Sequence, residues 1–341
     1  MPKSIVHIGI VTYNSLPDLP DCFAAIRAQT YPHLRVAVLD NASTDGSPEW
    51  VATHTPETKL ILSPCNRGFA AGHNRLIAAA SLAAQDYYLA LNPDVKMTPD
   101  YLDNLIRSID GDDRIGWATG KLLWAGVAAV SDAMLYSAGH GLFRSGYAIH
   151  IGYNLPDSPA YQESREVFGA PGAAVLMKQA FIRQLSINGE LYDETFFLYG
   201  EDTDLDWRAR RQGWACWGVA EAVAYHRHTP ASPDLAILAV AHRYLSVIKN
   251  AYLLDLLFYN LPLIVGHCVL RMITPRRGLR LAVTLLRHTP AAWRKRRPPL
   301  ITRHEMMQWF RWSAAQPTGQ PVTFRTRLQA FSAHLGHHQG S

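Results

Sequence analysis

The sequence predicts an α/β fold built on a mostly parallel sheet flanked by helices, with a helical, basic C-terminal extension. Two observations carry the sheet. Apolar, β-branched runs alternate with helically patterned segments through the first hundred residues, at the pitch of βαβ units. Short polar clusters then sit where the predicted strands end, which is where open α/β sheets place their ligands.

Residues 5–12 read as a buried strand, followed by an Asn-Ser turn and a helix over 19–29. Residues 34–40 form a second strand that runs into the turn-rich Asn41-Ala42-Ser43-Thr44-Asp45-Gly46. A helix over 48–54, a short strand over 59–62, a helix over 72–84 and a strand over 86–91 complete the alternation. The segment 110–165, with Gly, Tyr and short apolar runs, reads as strands joined by long loops. Beyond it, Gly169-Ala170-Pro171-Gly172-Ala173-Ala174 leads into a strand or helix at Val175-Leu176-Met177. Gly200-Glu201-Asp202-Thr203-Asp204 opens a helix through Arg211, with its acids where the helix dipole favours them. Residues 214–224 read as a further strand, leading to His226-Arg227-His228.

Composition narrows the class. An apolar share of 48% is that of a folded globular chain and excludes disorder as the default. Cys22, Cys65, Cys216 and Cys268 are scattered without a close pair, which argues against a disulfide framework or a zinc site and fits a reducing cytosol. The N-terminus runs directly into the first predicted strand, so no secretory signal is expected. Charge is unevenly placed. Residues 1–255 hold 20 Lys/Arg against 27 Asp/Glu, whereas residues 256–341 hold 13 Lys/Arg against Glu305 alone. That asymmetry points to an anionic partner for the C-terminal part.

Several strand-end residues suit particular chemistry. Asp40 can accept a hydrogen bond from a ribose hydroxyl or a base N–H, and a solvated turn acid would look the same. The loop Cys65-Asn66-Arg67-Gly68-Phe69-Ala70-Ala71-Gly72-His73-Asn74 can turn backbone N–H groups and Arg67 toward a diphosphate, or simply enter a helix. No Gly-Lys-Ser/Thr follows it and its glycine spacing is not that of a dinucleotide fingerprint. Asp94, behind Asn92-Pro93, suits Mg²⁺ or Mn²⁺, ions that take few protein ligands and complete their shell with phosphate and water. A strand-terminating turn is the plainer use of the same residues. Among the acids Glu201, Asp202 and Asp204, at least one could serve as a general base, the alternative being capping and ion pairs to Arg208, Arg210 and Arg211. His226 matters only if it converges on Asp94.

Taken in order, these blocks resemble family 2 glycosyltransferases with the GT-A fold. Ile8-Gly9-Ile10-Val11-Thr12-Tyr13-Asn14-Ser15 is similar to the family's opening strand and nucleotide loop. Val38-Leu39-Asp40-Asn41-Ala42-Ser43-Thr44-Asp45-Gly46-Ser47 is similar to its base-binding strand end, and residues 66–74 to its Asn-x-Gly-Phe loop. Leu91-Asn92-Pro93-Asp94 stands in the place of the Asp-x-Asp metal motif, and residues 197–208 resemble the Glu-Asp segment that carries the base. The resemblance spans residues 5–230, and the Asn-Pro-Asp form is similar to that of bacterial rhamnosyltransferases. It implies an inverting, metal-assisted transfer with Asp202 as base, Asp94 as ligand of Mg²⁺ or Mn²⁺, and His226 as a candidate second ligand. Asp40 would then hold the nucleobase. Thr12, Tyr13, Asn14, Asn41, Ser43, Asn66, Arg67, Gly68, Phe69, Asn74 and Asn92 would line the nucleotide site, with Gly172, Ala173 and Glu201 near the sugars. Asn92 replaces the first acid of the motif, which removes one charge from the metal site. The implied donor is a nucleotide sugar, dTDP-L-rhamnose first, and the implied acceptor a glycan or polyprenyl-linked glycan of the cell envelope.

The division expected is a catalytic domain over 1–230 and a helical region over 231–341. In the latter, 235–258 has helical spacing and 253–270 is strongly apolar, but Asp255 and Pro262 count against a membrane span. The arginines from Arg271 to Arg297 with interleaved leucines fit an interfacial helix on an anionic membrane surface, which predicts a peripheral protein on the cytoplasmic face. The same apolar faces could instead cover the catalytic domain or pair two copies in a homo-oligomer. No nucleic-acid recognition motif accompanies the charge, so no nucleic-acid partner is expected. His334, His337 and His338 read as part of a disordered tail. Competing with the rhamnosyl reading are a UDP-hexose donor on the same fold and a sugar-nucleotide-binding or membrane-scaffold protein without turnover.

Overall fold

The computed structural model describes residues 4–126, 133–227, 233–271 and 275–311, with the helical path alone given for 233–236 and 275–277. At its centre lies β1 (Val6–Thr12), where Val6, Ile8 and Ile10 alternate into one core with almost no exposure. On its two sides β1 pairs in parallel with β2 (Leu34–Asp40) and β4 (Tyr87–Leu91), and β3 (Lys59–Leu62) continues the parallel order beyond β2. The intervening helices are α1 (Leu19–Arg27), α2 (Ser47–His54) and α3 (Gly68–Ala80).

Past β4 the sheet becomes mixed. After β5 (Val95–Met97) and α4 (Tyr101–Ile109) comes the long β6 (Ile115–Trp124), which resolves the segment that the sequence left loosely drawn. Three short strands follow, β7 (Leu135–Ser137), β8 (His140–Phe143) and β9 (Ala148–His150), and then β10 (Arg165–Val167). Strand β11 (Ala174–Lys178) runs antiparallel between β4 and β6, and α5 (Gln179–Leu185) follows it. Helix α6 (Glu201–Arg211) leads into β12 (Ala215–His226), which lies parallel to β6. The ten-stranded sheet carries β5 on the end of β12 and β7 on β6. One face packs α1 and α4, the other α3, α5 and α6.

Several element boundaries differ from the sequence expectation. Helix α3 begins at Gly68 rather than 72 and stops at Ala80, because Ser81 turns left-handed at φ 50°. Helix α1 ends at Arg27. Strand β12 continues two residues past Ala224 because β5 pairs with its end, and this carries His226 to the sheet edge.

The C-terminal helices share a core with α6. These are α7 (Pro233–Asn250), α8 (Leu253–Asp255), α9 (Leu261–Arg271) after a π-helical turn, α10 (Pro275–Arg294) and α11 (Arg303–Met307). The last strand among the described residues, β13 (Phe310–Arg311), joins β8 and β9 in a small second sheet. Trp207 and Phe196 pack with Tyr244, Leu245, Leu281 and Phe310. The four cysteines are free. His228, His334, His337 and His338 lie outside the described residues.

The seam between α6 and α7 is ionic as well as apolar. The buried Lys249 ammonium lies 2.7 Å from Asp193 and 2.8 Å from Asp204, while Arg208 donates to Asp204 at 2.9 Å and Asn250 at 2.8 Å. Burial would raise the Asp193 carboxyl, but Lys249 and Lys295 hold it well below the usual carboxylate range. Lys249→Met keeps the volume and removes the buried cation that Asp193 and Asp204 share, leaving Lys295 to the first and Arg208 and Asn250 to the second. It is expected to cost about 3–5 kcal/mol in urea unfolding, as for other broken buried pairs. A change below about 1 kcal/mol would show that α7 is held by its apolar contacts alone.

Candidate active site

The register of the sheet brings the polar strand ends to one edge. Thr12 stands opposite Asp40 across β1 and β2. The Thr12 hydroxyl donates to Asp40 Oδ1 at 2.9 Å, the Ser43 hydroxyl to the same oxygen at 2.5 Å, and the Ser43 N–H to Oδ2 at 2.9 Å. Asn14, left-handed at φ 52°, donates its N–H to Ser43 Oγ and accepts the Thr44 N–H on Oδ1, both at 2.9 Å. Asp40 was expected on the nucleobase. It is 2% exposed and commits three of its four lone-pair sites to this loop. Its observed work is to lock the loops after β1 and β2 together. Tyr13 stands out from them, 53% exposed.

The second wall is the loop into α3. Asn41 donates to the Gly68 carbonyl at 3.2 Å and accepts the Arg67 N–H at 3.3 Å, and Asn66 accepts the Gly68 N–H at 2.9 Å. Gly68 has φ +81°, and a Cβ there would lie 2.0 Å from the Phe197 carbonyl oxygen, so the position admits glycine only. Phe69 donates its N–H to that same oxygen at 3.0 Å, and its ring reaches Gly172. The exposed Arg67 borders a cleft of about 320 Å³ that also takes in Ser63, Arg75, Gly189 and Glu194.

Asn74 corrects the sequence reading. All four hydrogen-bonding positions of its amide are used on the 191–194 segment. It donates to the Tyr192 carbonyl and Glu194, and accepts from the Leu191 and Tyr192 N–H groups. It clamps the fold and offers nothing to a nucleotide. His73 is likewise internal: it bonds the Tyr88 hydroxyl at 2.8 Å, and burial pushes its imidazole down to about 3, so it is neutral.

At the end of β4, the Asn92 N–H donates to the Ala173 carbonyl at 2.8 Å, which fixes the turn that presents Asp94. Asp94 Oδ1 and His226 Nε2 meet at 3.3 Å. His226 is 2% exposed and its ring packs edge-on against Tyr136 at 4.4 Å. The Arg227 N–H bonds the Asp94 carbonyl at 3.1 Å and its guanidinium reaches Asp18 at 2.5 Å, which ties the end of β12 to the α1 entry. Neighbouring ligands on an octahedral ion with roughly 2.1 Å bonds sit about 3 Å apart, so this pair fits a divalent cation. Among the described residues no third His, Cys, Asp or Glu joins them, and the rest of a shell would fall to phosphate and water.

The acids of α6 divide by environment. Asp204 is fully buried and paired with Arg208, Lys249 and Asn250. Glu201 is 5% exposed, and its Oε2 has no hydrogen-bond partner among the described residues. Burial, and then the neighbouring Asp202 charge, push its carboxyl well above the usual range, so it stands as a neutral acid. Asp202 alone is partly open, at 23% side-chain exposure. Its Oδ1 accepts the Thr203 N–H at 2.7 Å, and its Oδ2 accepts the Gly172 N–H at 3.3 Å. Ala173 is buried beside that contact. Tyr136 links the two halves. Burial raises its phenol, and the charges of Asp202 and Asp94 act on it as well.

Sequence reasoning missed His140 and Asp206. His140 Nδ1 bonds Asp206 at 2.8 Å, and its Nε2 faces Asp202 at 3.9 Å. They are 66 positions apart in sequence, and a lone histidine in a glycine-rich stretch carries no periodic signal.

Residues 7–119 match the family model described as glycosyl transferase family 2. The chain is 27% identical over 261 residues to the N-acetylglucosaminyl-diphospho-decaprenol L-rhamnosyltransferase of Mycobacterium tuberculosis, covering 70% of this chain and 82% of that protein. Among solved structures it resembles GalNAc-T7 with UDP, GalNAc and Mn²⁺, at TM-score 0.56 and 12% identity. That match covers 73% of this chain and 48% of the other, so this chain spans about half of GalNAc-T7. It also resembles the mannosyltransferase PcManGT from Pyrobaculum calidifontis in complex with GDP-Man and Mn²⁺, at TM-score 0.50 and 16% identity, covering 98% and 81%. At these identities the structural likeness shows the fold, which is GT-A. Over residues 7–119 the chain is thus similar to glycosyltransferases of family 2, and over most of its length it is similar to a rhamnosyltransferase.

Proposed function

We propose that this protein transfers a sugar from a nucleoside diphosphate donor to a hydroxyl of a lipid-linked glycan, with inversion at the anomeric carbon. The observation that carries the proposal is the elimination within α6: Glu201 is buried with its carboxyl pushed well above the usual range, Asp204 is consumed by ion pairs, Asp206 is buried on His140 and Trp117, and Asp202 alone is open on the same edge as Asp94 and His226. The donor would lie between the Thr12–Asp40–Ser43 wall and the Arg67–Gly68–Phe69 loop, whose three N–H groups are taken by Asn41, Asn66 and the Phe197 carbonyl and whose exposed Arg67 guanidinium would be the group offered to phosphate. Asp94 and His226 would hold Mg²⁺ or Mn²⁺, which, when bound, supplies charge stabilisation to the leaving diphosphate. Asp202 takes the proton of the acceptor hydroxyl, and the oxygen attacks the anomeric carbon from the opposite face to the leaving group. The similarity to the mycobacterial rhamnosyltransferase favours dTDP-L-rhamnose as donor and a polyprenyl-diphosphate-linked sugar as acceptor.

The division into residues 1–230 for catalysis and 231–341 for attachment belongs to the same proposal. Leu254, Phe258, Val265 and Val269 are more than half exposed along the first apolar helix, as are Leu279, Val283 and Leu286 on α10, where Arg280 and Arg287 are exposed beside them. The segment Leu253–Arg271 has the length and composition to cross a membrane. Its Asp255, however, is held by Arg144 at 2.6 Å and Arg303 at 2.7 Å, which fixes one side of that helix to the protein body. A surface lying on an anionic leaflet at the cytoplasmic face suits this better, each cation there contributing about 1 kcal/mol.

Two predictions test these readings. Asp202→Asn should lower turnover about 10²–10⁴-fold while nucleoside diphosphate binding is kept. The assay is nucleoside diphosphate release from dTDP- and UDP-sugars with lipid-linked acceptor, with and without Mg²⁺ or Mn²⁺. Metal-dependent release strongest with dTDP-L-rhamnose is expected. Preference for a UDP-hexose would overturn the donor, and no release with any donor would favour a protein without turnover. Separately, Phe258→Glu with Leu286→Glu should reduce co-sedimentation with anionic vesicles about tenfold or more without lowering Tm. Unchanged sedimentation would remove the membrane assignment.

A further inference from the structure

Behind Asp202 lies a second layer of ionisable groups that the reaction scheme does not use. Asp206, one helical turn along α6, is 2% exposed. Its Oδ1 accepts the Trp117 indole N–H at 3.0 Å and the Ala170 N–H at 3.2 Å, and its Oδ2 takes His140 Nδ1 at 2.8 Å. His140 is 3% exposed, its own N–H donates to the Gly169 carbonyl at 2.7 Å, and its Nε2 faces Asp202 Oδ2 at 3.9 Å. A Cβ on Gly169 would lie 1.9 Å from the Asp206 carboxylate. The loop is therefore drawn onto Asp206, and three residues later its Gly172 N–H meets Asp202 at 3.3 Å.

We propose that His140, oriented by Asp206, is a positioning residue for Asp202, fixing both the carboxylate's direction and the charge at its back. This rests on the reading of Asp202 as the general base. With Nδ1–H given to Asp206, only Nε2 is left to face Asp202, and a proton there sets a positive charge against the base. Burial alone would lower the His140 imidazole, but the bond to Asp206 and the charges of Asp202 and Asp206 raise it above its ordinary value. The remaining neighbours are His150, with ring centroids 5.0 Å away, and, beyond Gly141 on the same strand, Arg311. Stability alone does not require such a pair, because well-packed apolar side chains serve as well as buried charges. The arrangement is instead that of an oriented imidazole placed behind a reacting carboxylate.

The test compares His140→Gln and Asp206→Asn with Asp202→Asn in the nucleoside diphosphate release assay, using the full chain. Each of the first two variants is expected to lower kcat about ten- to hundredfold while the nucleotide-sugar KM stays within about twofold, since the nucleotide loops are elsewhere. Combining them should cost no more than the worse single change, because the pair acts as a unit. In the Asp202→Asn background, His140→Gln should have no further effect. Asp206→Asn preserves shape and supplies the reading if His140→Gln does not fold. Near-native kcat in the variants would overturn the proposal, as would an equal fractional loss by His140→Gln in the Asp202→Asn background. Full turnover by Asp202→Asn alone would overturn the base assignment itself, and is a different outcome from either.

Discussion

Helix α6 is buried on nearly every face and carries four acids, so each must find its own way of bearing burial. An isolated carboxylate in such surroundings is costly, and it pairs, takes a proton or reaches an opening. All three solutions occur within two turns. Asp204 pairs with Lys249 and Arg208 and so holds the C-terminal helices. Glu201 stays protonated. Asp206 takes His140 and the Gly169–Ala170 loop, and Asp202 reaches the opening. One short helix thereby joins the sheet, the C-terminal core and the candidate base, and a disturbance of its ion pairs reaches all of them.

The parallel half of the fold was legible in the sequence because its strands are short apolar runs with polar ends. Val6 to Thr12 and Leu34 to Asp40 are each bounded by turn residues, and their register follows from burying one alternating face. The sequence likewise singled out Asp94, Asp202 and, conditionally, His226 as candidates, and Asp94 and His226 meet at 3.3 Å. What the residues alone did not reveal was set by distant partners. Asn74 reads as a loop residue because the 191–194 segment that saturates it is more than a hundred positions away. Asp40 reads as a ligand-binding acid, whereas its three loop hydrogen bonds appear only once β1 and β2 are paired. His140 has no local signal at all, since its meaning comes from Asp206 across the fold.

Of the uses that the sequence left open for the C-terminal helices, packing on the protein body is the one observed. One face is core, with Tyr244, Leu245 and Leu281 against Trp207. The opposite face leaves Phe258 at 79% and Leu286 at 77% exposure. A helix pair that packs on the catalytic body and still presents an apolar, arginine-flanked surface would hold the sugar-transfer edge at a fixed height over a membrane. That geometry suits an acceptor whose lipid stays in the bilayer while its sugar enters the site.

In the proposed reaction Asp202 drives a single direct displacement at the edge formed by Asp94 and His226. The measurement that bears on it most directly is the anomeric configuration of the transferred sugar, read by proton NMR of the glycosylated acceptor. A product of configuration opposite to the donor is predicted. A product that keeps the donor's configuration would contradict it, because one in-line attack by a deprotonated hydroxyl cannot retain.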